Sequence, residues 1–336
     1  VYALAGADCI DVAADPAIVA TTRDALAIAH SLNRDARQRG YRPAQPWLMV
    51  SLNDGEDPHF RKAEFNPTAC PTACARPCEA ICPAQAIVFK AGFSGVIDDL
   101  CYGCGRCVPI CPVQQISTRS YVYTPEVISP LLFEAGVDAI EIHTQIGRFD
   151  HFARLWRSIQ PYIHQLKLLA ISCPDGENLI EYLQTLHDLI APLPCALIWQ
   201  TDGRPMSGDI GDGATRACIK LGQKVLSARL PGYVQLAGGT NRSTVPKLNA
   251  LNLLHNRNSS NEPKIAGIAY GSYARSLLLP VLNQLEALEA QTPVATVAPI
   301  WIETMPELLW NALSLADELV SQIKNSHSSA LAYTSD

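Results

Sequence analysis

Ala135-Gly136-Val137-Asp138-Ala139-Ile140-Glu141-Ile142-His143 repeats an earlier phrase, Ala5-Gly6-Ala7-Asp8-Cys9-Ile10-Asp11-Val12. In each, a glycine turn leads into a short run whose polar residues fall on alternate positions, the period of a strand. Asp15-Pro16 follows the first phrase as an N-cap with proline at the first helical position, which predicts a helix toward His30. Thr124-Pro125 precedes the second and predicts a helix through Phe133. Working outward, further strands are expected at Trp47–Ser51, Leu166–Cys173, Cys195–Thr201, Tyr233–Ala237 and Ile265–Tyr270. Helices are expected from about Phe149, from Glu177, near Ala214–Leu226 and over Ser276–Glu289, with an amphipathic Met305–Ile323 and a polar tail from Asn325. Strands that alternate with helices imply a parallel sheet, because each crossover must cover a strand face. The expected fold class is α/β, a (β/α)8-like barrel whose first strand lies on an N-terminal piece missing before Val1. An open doubly wound sheet is the structural rival.

Between the second strand and the Thr124 helix the rhythm stops and cysteines take over. Cys101-Tyr-Gly-Cys104-Gly-Arg-Cys107-Val-Pro-Ile-Cys111-Pro112 has the C-x2-C-x2-C-x3-C-P spacing that grips a cubane iron–sulfur cluster. Three nearby thiolates hold one cube and the fourth serves another, so such runs come in pairs. The partner is Cys70-Pro-Thr-Ala-Cys74-Ala-Arg-Pro-Cys78-Glu-Ala-Ile-Cys82-Pro83. The inferred ligand sets are Cys70, Cys74, Cys78 and Cys111 for one cluster, and Cys82, Cys101, Cys104 and Cys107 for the other. Both clusters are expected to be 4Fe–4S. The first run is one residue longer in each of its first two gaps, which leaves a labile or 3Fe–4S cluster open there. Zinc prefers two separated ligand pairs, and a disulfide framework needs an oxidising compartment to which nothing here directs the chain. The domains read as 1–66, the first part of the barrel; 67–119, an inserted two-cluster ferredoxin-like domain; 120–290, the rest of the barrel; and 291–336, a C-terminal helix and tail.

Across 336 residues the hydrophobic fraction is 48%, the charged fraction 17% and the formal charge −6, a buried globular chain without the basic footprint of a nucleic-acid binder. No apolar run approaches the roughly 20 residues of a membrane span and no signal peptide opens the chain, so a cytoplasmic protein is expected. Alternation turns Glu141 and His143 into the barrel lumen, along with Asp11, Gln200 and Asp202. With Arg148 and Arg204 in adjacent loops, a polar pocket for an anionic ligand stands against a merely inherited set of satisfied polar groups; Asn53, Asp54 and Asp57 lie in the loop that leads into the cysteine region. Gly238-Gly239-Thr240-Asn241 and Gly271-Ser272 follow the last two strands, where backbone N–H groups can cradle a phosphate or a flavin phosphate. Gly238, Gly239, Gly271 and Ser272 are the candidates, against the plainer reading of strand-ending turns. The polar loop from Asp202 to Asp209 reads as a lid or a surface loop.

Leu4-Ala-Gly-Ala-Asp-Cys-Ile-Asp-Val-Ala-Ala-Asp-Pro16, the two cysteine runs with Cys82-Pro-Ala-Gln-Ala-Ile87, and Gln235-Leu-Ala-Gly-Gly-Thr-Asn241 together resemble the cyanobacterial light-dependent period (LdpA) family. The resemblance covers essentially the whole chain and matches all eight cysteine ligands. It implies a cytoplasmic iron–sulfur sensor that feeds redox state, a proxy for light, into the circadian clock. It also implies association with clock-input proteins such as a histidine kinase, and it assigns no reaction to the barrel mouth; apart from the resemblance, a quinone or ferredoxin is the expected class of redox partner. The rival function is an oxidoreductase passing electrons to a flavin or substrate in the barrel.

Overall fold

A computed structural model describes residues 1–55, 61–120, 124–203, 214–254, 262–291 and 298–328, without the side chains of 325–328. In chain order its elements are β1 (Cys9–Ala13), α1 (Pro16–Ser31), α2 (Asn33–Gln38), β2 (Trp47–Asn53), β3 (Arg61–Glu64), α3 (Pro77–Ile81), β4 (Ile87–Lys90), β5 (Phe93–Val96), α4 (Cys107–Ile110) and β6 (Ser117–Ser120). There follow α5 (Pro125–Glu134), β7 (Ala139–His143), α6 (Phe149–Ile159), β8 (Leu168–Pro174), α7 (Leu179–Ile190), β9 (Ala196–Asp202), α8 (Thr215–Ala228), β10 (Tyr233–Ala237), α9 (Thr244–Ala250), β11 (Ile265–Ile268), α10 (Ser272–Gln291) and α11 (Pro306–Ser328).

The fold is mixed α/β around a curled parallel sheet of seven strands, in the order β1-β2-β7-β8-β9-β10-β11. Each strand lies beside the preceding strand of the sheet, with no reversal of winding, and a doubly wound sheet requires one. Among the described residues no pairing joins β1 to β11. The Tyr2 hydroxyl donates to the Ala274 carbonyl of α10 at 2.7 Å, so the helix after the last strand comes back to the start of the chain. α11 packs over the same region: Leu309, Leu313, Ala316 and Val320 share a core with Leu4, Ala29 and Ala36.

The alternation expected of the strands is present. Val50, Leu52, Ile140, Ile142, Leu169, Ile171, Leu197, Trp199, Val234 and Leu236 all join one core with the surrounding helices. Glu141 stands on the other, concave face. Asp15 caps α1 as expected, its carboxylate accepting from the Ala17 and Ile18 amides at 2.9 and 3.3 Å. Gly203 ends β9 where an added Cβ would lie 2.3 Å from the Cys218 backbone, so only glycine lets α8 approach.

Residues 61–120 leave the sheet between β2 and α5 and build a core of their own from Ala63, Ile81, Ile87, Ile116 and four buried cysteines. Two antiparallel pairs frame it, β3 with β6 and β4 with β5. Asp57, Arg204, most of the loop after Asp202 and the end of the polar tail lie outside the described residues. Among the described residues, no helix is long and apolar enough to cross a membrane.

Candidate metal centre

Two short helices distribute the cysteines. Pro77 opens α3, and Arg76 before it is left-handed at φ 54°. Cys78 lies in the first turn of α3 and Cys82 just beyond its end, so one helix delivers its two thiols at opposite ends. α4 does the same with Cys107 and Cys111. The trailing turns also match. Gln85 and Gln114, each three residues past a cysteine, are left-handed at φ 51° and 52°. Each turn aims an amide at sulfur: Ala86 N–H donates to Cys82 Sγ at 3.2 Å and Gln115 N–H to Cys111 Sγ at 3.3 Å.

Mutual repulsion between ionised sulfurs marks which thiols face one another. Burial raises the Cys70 thiol, and Cys74 and Cys111 add to it. Burial pushes Cys78 up to about 11; the Glu79 amide opposes this, and Cys111, Cys70 and Cys74 reinforce it. In the other set, burial pushes Cys107 up to about 12, reinforced by Cys104, Cys101 and Cys82. Burial likewise raises Cys104, which the Arg106 amide opposes and Cys82 and Cys101 reinforce. Cys70, Cys74, Cys78 and Cys111 thus sit within electrostatic reach of one another, as do Cys82, Cys101, Cys104 and Cys107. Each set takes three thiols from one run and one from the other. Cys111 goes the opposite way to Cys70, Cys78, Cys104 and Cys107: burial raises it, but the amides of Gln115, Val113, Ile116 and Gln114 outweigh burial and hold it below the ordinary thiol range.

The second set surrounds a small cavity, lined by all four of its cysteines with Ala63, Ala86, Ile87, Gly103, Gly105, Arg106 and Thr118 among others. Ala63 N–H donates to Cys101 Sγ and Arg76 N–H to Cys74 Sγ, both at 3.4 Å. Every set therefore has sulfurs that accept a backbone N–H, the bond that favours thiolate over thiol. All twelve cysteines are free of disulfides. Among the described residues, no three His, Cys, Asp or Glu side chains converge on one ion. Four thiols spread around a cavity, with amides aimed at sulfur, suit a multi-iron cluster better than a single zinc.

Two ties join this region to the rest of the molecule, and neither was visible in the sequence. Lys62, wholly buried on β3, pairs with Asp15 at 2.9 Å and also donates to the Asp98 carbonyl. Its neighbour Ala63 is the residue whose amide meets Cys101. Arg106, between Cys104 and Cys107, pairs with the nearly buried Glu289 of α10 at 3.0 Å and reaches the Ile300 carbonyl at 3.4 Å. Pairs so far apart in sequence leave no periodic signal. The oddity of an Arg inside the cysteine run was the one available hint.

On the concave face, Glu141 is 2% exposed. Ser51 Oγ donates to Asp11 Oδ2 at 2.6 Å and stands 3.1 Å from Glu141 Oε2. Gln200 Nε2 donates to Glu141 Oε1, and Gln235 Nε2 donates in turn to Gln200 Oε1 at 2.8 Å. His143 Nε2 lies 3.1 Å from Glu141 Oε1. Burial pushes Glu141 up to about 7, against the hydrogen bonds of Ser51, Asp11 and Ser172. Asp11 keeps solvent contact on its edge strand, yet its carboxyl is enclosed enough that burial, and then Glu141, raise it. The sheet thus brings Asp11, Glu141, His143 and Gln200 together. Arg148 instead pairs with the buried Asp54 at 3.3 Å.

Gly238 and Gly239 both adopt positive φ, 56° and 86°. The Thr240 hydroxyl crosses to the Ala269 carbonyl at 2.6 Å, which places the Gly271-Ser272 turn alongside. Nearby donors are already engaged: Asn241 N–H by Thr244 Oγ1 at 2.9 Å and Ser243 N–H by Asn241 Oδ1 at 2.8 Å.

Comparison with known proteins bears on this centre. The model of the light dependent period A iron–sulfur cluster-binding domain matches residues 70–122, and that of the family's C-terminal domain matches residues 131–322. Light dependent period A of Synechococcus elongatus is 46% identical over 327 residues, covering 96% of this chain and 85% of that protein. The chain belongs to the light dependent period A family. No solved structure matches it. Its cysteine region is therefore the family's iron–sulfur cluster-binding domain, and the curled sheet from Leu131 onward is largely the family's C-terminal domain.

Proposed function

We propose that this protein is a cytoplasmic redox sensor of the light-dependent period system, holding two 4Fe–4S clusters in a ferredoxin-like module inserted in a (β/α)8-like barrel. Cys70, Cys74, Cys78 and Cys111 hold one cluster; Cys82, Cys101, Cys104 and Cys107 hold the other. The observation that supports the reading most is that Cys82, from the first run, lines one cavity with Cys101, Cys104 and Cys107 of the second. When bound, such clusters supply one-electron uptake and release, and a one-electron couple shifts its reduced-to-oxidised ratio about tenfold per ~59 mV. The chain's own groups set where that couple stands. Backbone amides at Cys74, Cys82, Cys101 and Cys111 favour charge on sulfur, and Cys104, the one exposed thiol of the eight, leaves the second set open to an electron donor. A sensor must also pass its state on, and the ties at Lys62 and Arg106 join the module to α1 and α10. Clock-input proteins, among them a histidine kinase, are the partners this reading supplies. Anaerobic purification followed by iron and sulfide analysis and potentiometric titration under electron paramagnetic resonance tests it. Two one-electron signals are expected. Protein that binds zinc in preference and carries no acid-labile sulfide contradicts it.

A further inference from the structure

Arg106 occupies an unusual position. It lines the same cavity as Cys82, Cys101, Cys104 and Cys107. Its guanidinium pairs with Glu289, near the end of α10, at 3.0 Å. Glu289 is only 6% exposed and its Oε1 also accepts the Ile300 amide at 2.8 Å. Arg106 Nη2 reaches the Ile300 carbonyl at 3.4 Å, and the guanidinium stands 5.8 Å from the Trp301 ring. One arginine of the cysteine run, one buried glutamate and both backbone groups of Ile300 thus form a single knot. The knot joins the cavity wall to α10 and to the segment that leads into α11.

We infer that Arg106 and Glu289 form a charge relay that reports the electron count of the second cysteine set to the C-terminal helices. The inference rests on the cluster assignment above. An added electron in the cavity attracts the guanidinium and competes with Glu289 for it. Glu289 is nearly buried, so weakening its partner makes its charge costly where it sits and destabilises the knot that fixes Ile300. Coupling of this kind is reciprocal: whatever the electron does to the pair, the pair does to electron affinity.

Reciprocity separates a relay from a packing contact. Glu289→Gln leaves the Arg106 charge uncompensated beside the cavity and favours the reduced state. Arg106→Gln removes the cation, leaves the Glu289 charge unbalanced and favours the oxidised state. At a fixed applied potential, the reduced-to-oxidised ratio of the second cluster is expected to move in opposite directions in the two variants, each by on the order of three- to tenfold. The double variant should return near wild type, and the signal of the first cluster should stay put throughout. In wild type, hydrogen exchange of 298–304 should quicken on reduction, and in Arg106→Gln it should be the same in both redox states. Iron and sulfide content measured on the same samples reports separately on the cluster assignment itself. Loaded variants whose ratios do not move, or move the same way, overturn the relay, as does exchange at 298–304 that ignores the redox state of wild type.

Discussion

Ser51 has one hydroxyl proton and stands between two carboxyl oxygens, Asp11 Oδ2 at 2.6 Å and Glu141 Oε2 at 3.1 Å. It donates to one, and a proton on Glu141 lets the other contact remain a hydrogen bond. Burial favours the same outcome by lifting Glu141 from 4.5 to about 7. Because the folded value lies above the unfolded one, the resulting stability is complete below about pH 4.5 and is lost as pH rises through 7. By linkage this amounts to on the order of 3 kcal/mol. Glu141→Gln, which keeps the shape, should flatten that part of the stability profile in urea unfolding between pH 4.5 and 8. An unchanged slope would show that Glu141 is ionised throughout. Glu141 was legible because strand alternation fixes its face. Its partners were less so, since the register across β2, β7 and β9 decides that Ser51 and Gln200 meet it. The polar pocket had been expected to suit an anionic ligand through Arg148. In the fold Asp54 takes that guanidinium, and the cluster around Glu141 is centred on two carboxyls, its own and that of Asp11, bridged by Ser51.

At the scale of elements, β3 matters more than its four residues suggest. It carries Lys62 to Asp15 at the start of α1, and its next residue, Ala63, to Cys101. A buried ion pair adds little over a well-packed apolar pair, but removing one partner strands the other. Lys62→Ala should therefore cost about 3–5 kcal/mol in equilibrium unfolding, and Lys62→Met with Asp15→Asn should recover much of it. Losses of the same size in single and double variants would mean that the ion pair itself, and not relief of a stranded charge, holds the two parts together. Asp15 was read from the sequence as a helix cap, because Asp-Pro before an apolar run is a local signal. Its second role depends on a lysine in another part of the chain and had no local signature. The same holds for Arg106 and Glu289.

The whole molecule combines a parallel sheet wound in one direction with a cysteine-rich region that has a core of its own. The repeat at Asp8 and Asp138 made the sheet legible, because both phrases run from a glycine turn through an aspartate into a strand. Strand order excludes reversal, which the sequence had left open. The small region is built largely from its thiols: Cys78, Cys101, Cys107 and Cys111 are part of its buried core. Metal binding should then contribute directly to its folding. Chelating the iron is expected to expose amides of 61–120 to hydrogen exchange while the protection of β7, β8 and β9 stays unchanged. Equal loss of protection in both regions would show one cooperative unit.

The crossing of the cysteine sets is the claim from which the rest follows. Cys111→Ser, in the second run, and Cys82→Ser, in the first, test it most directly by electron paramagnetic resonance on anaerobically purified protein. The account predicts that Cys111→Ser disturbs the same signal as Cys70→Ser, and Cys82→Ser the same signal as Cys104→Ser. If Cys111→Ser instead disturbs the Cys104 signal, each run holds its own metal and the crossed arrangement is wrong.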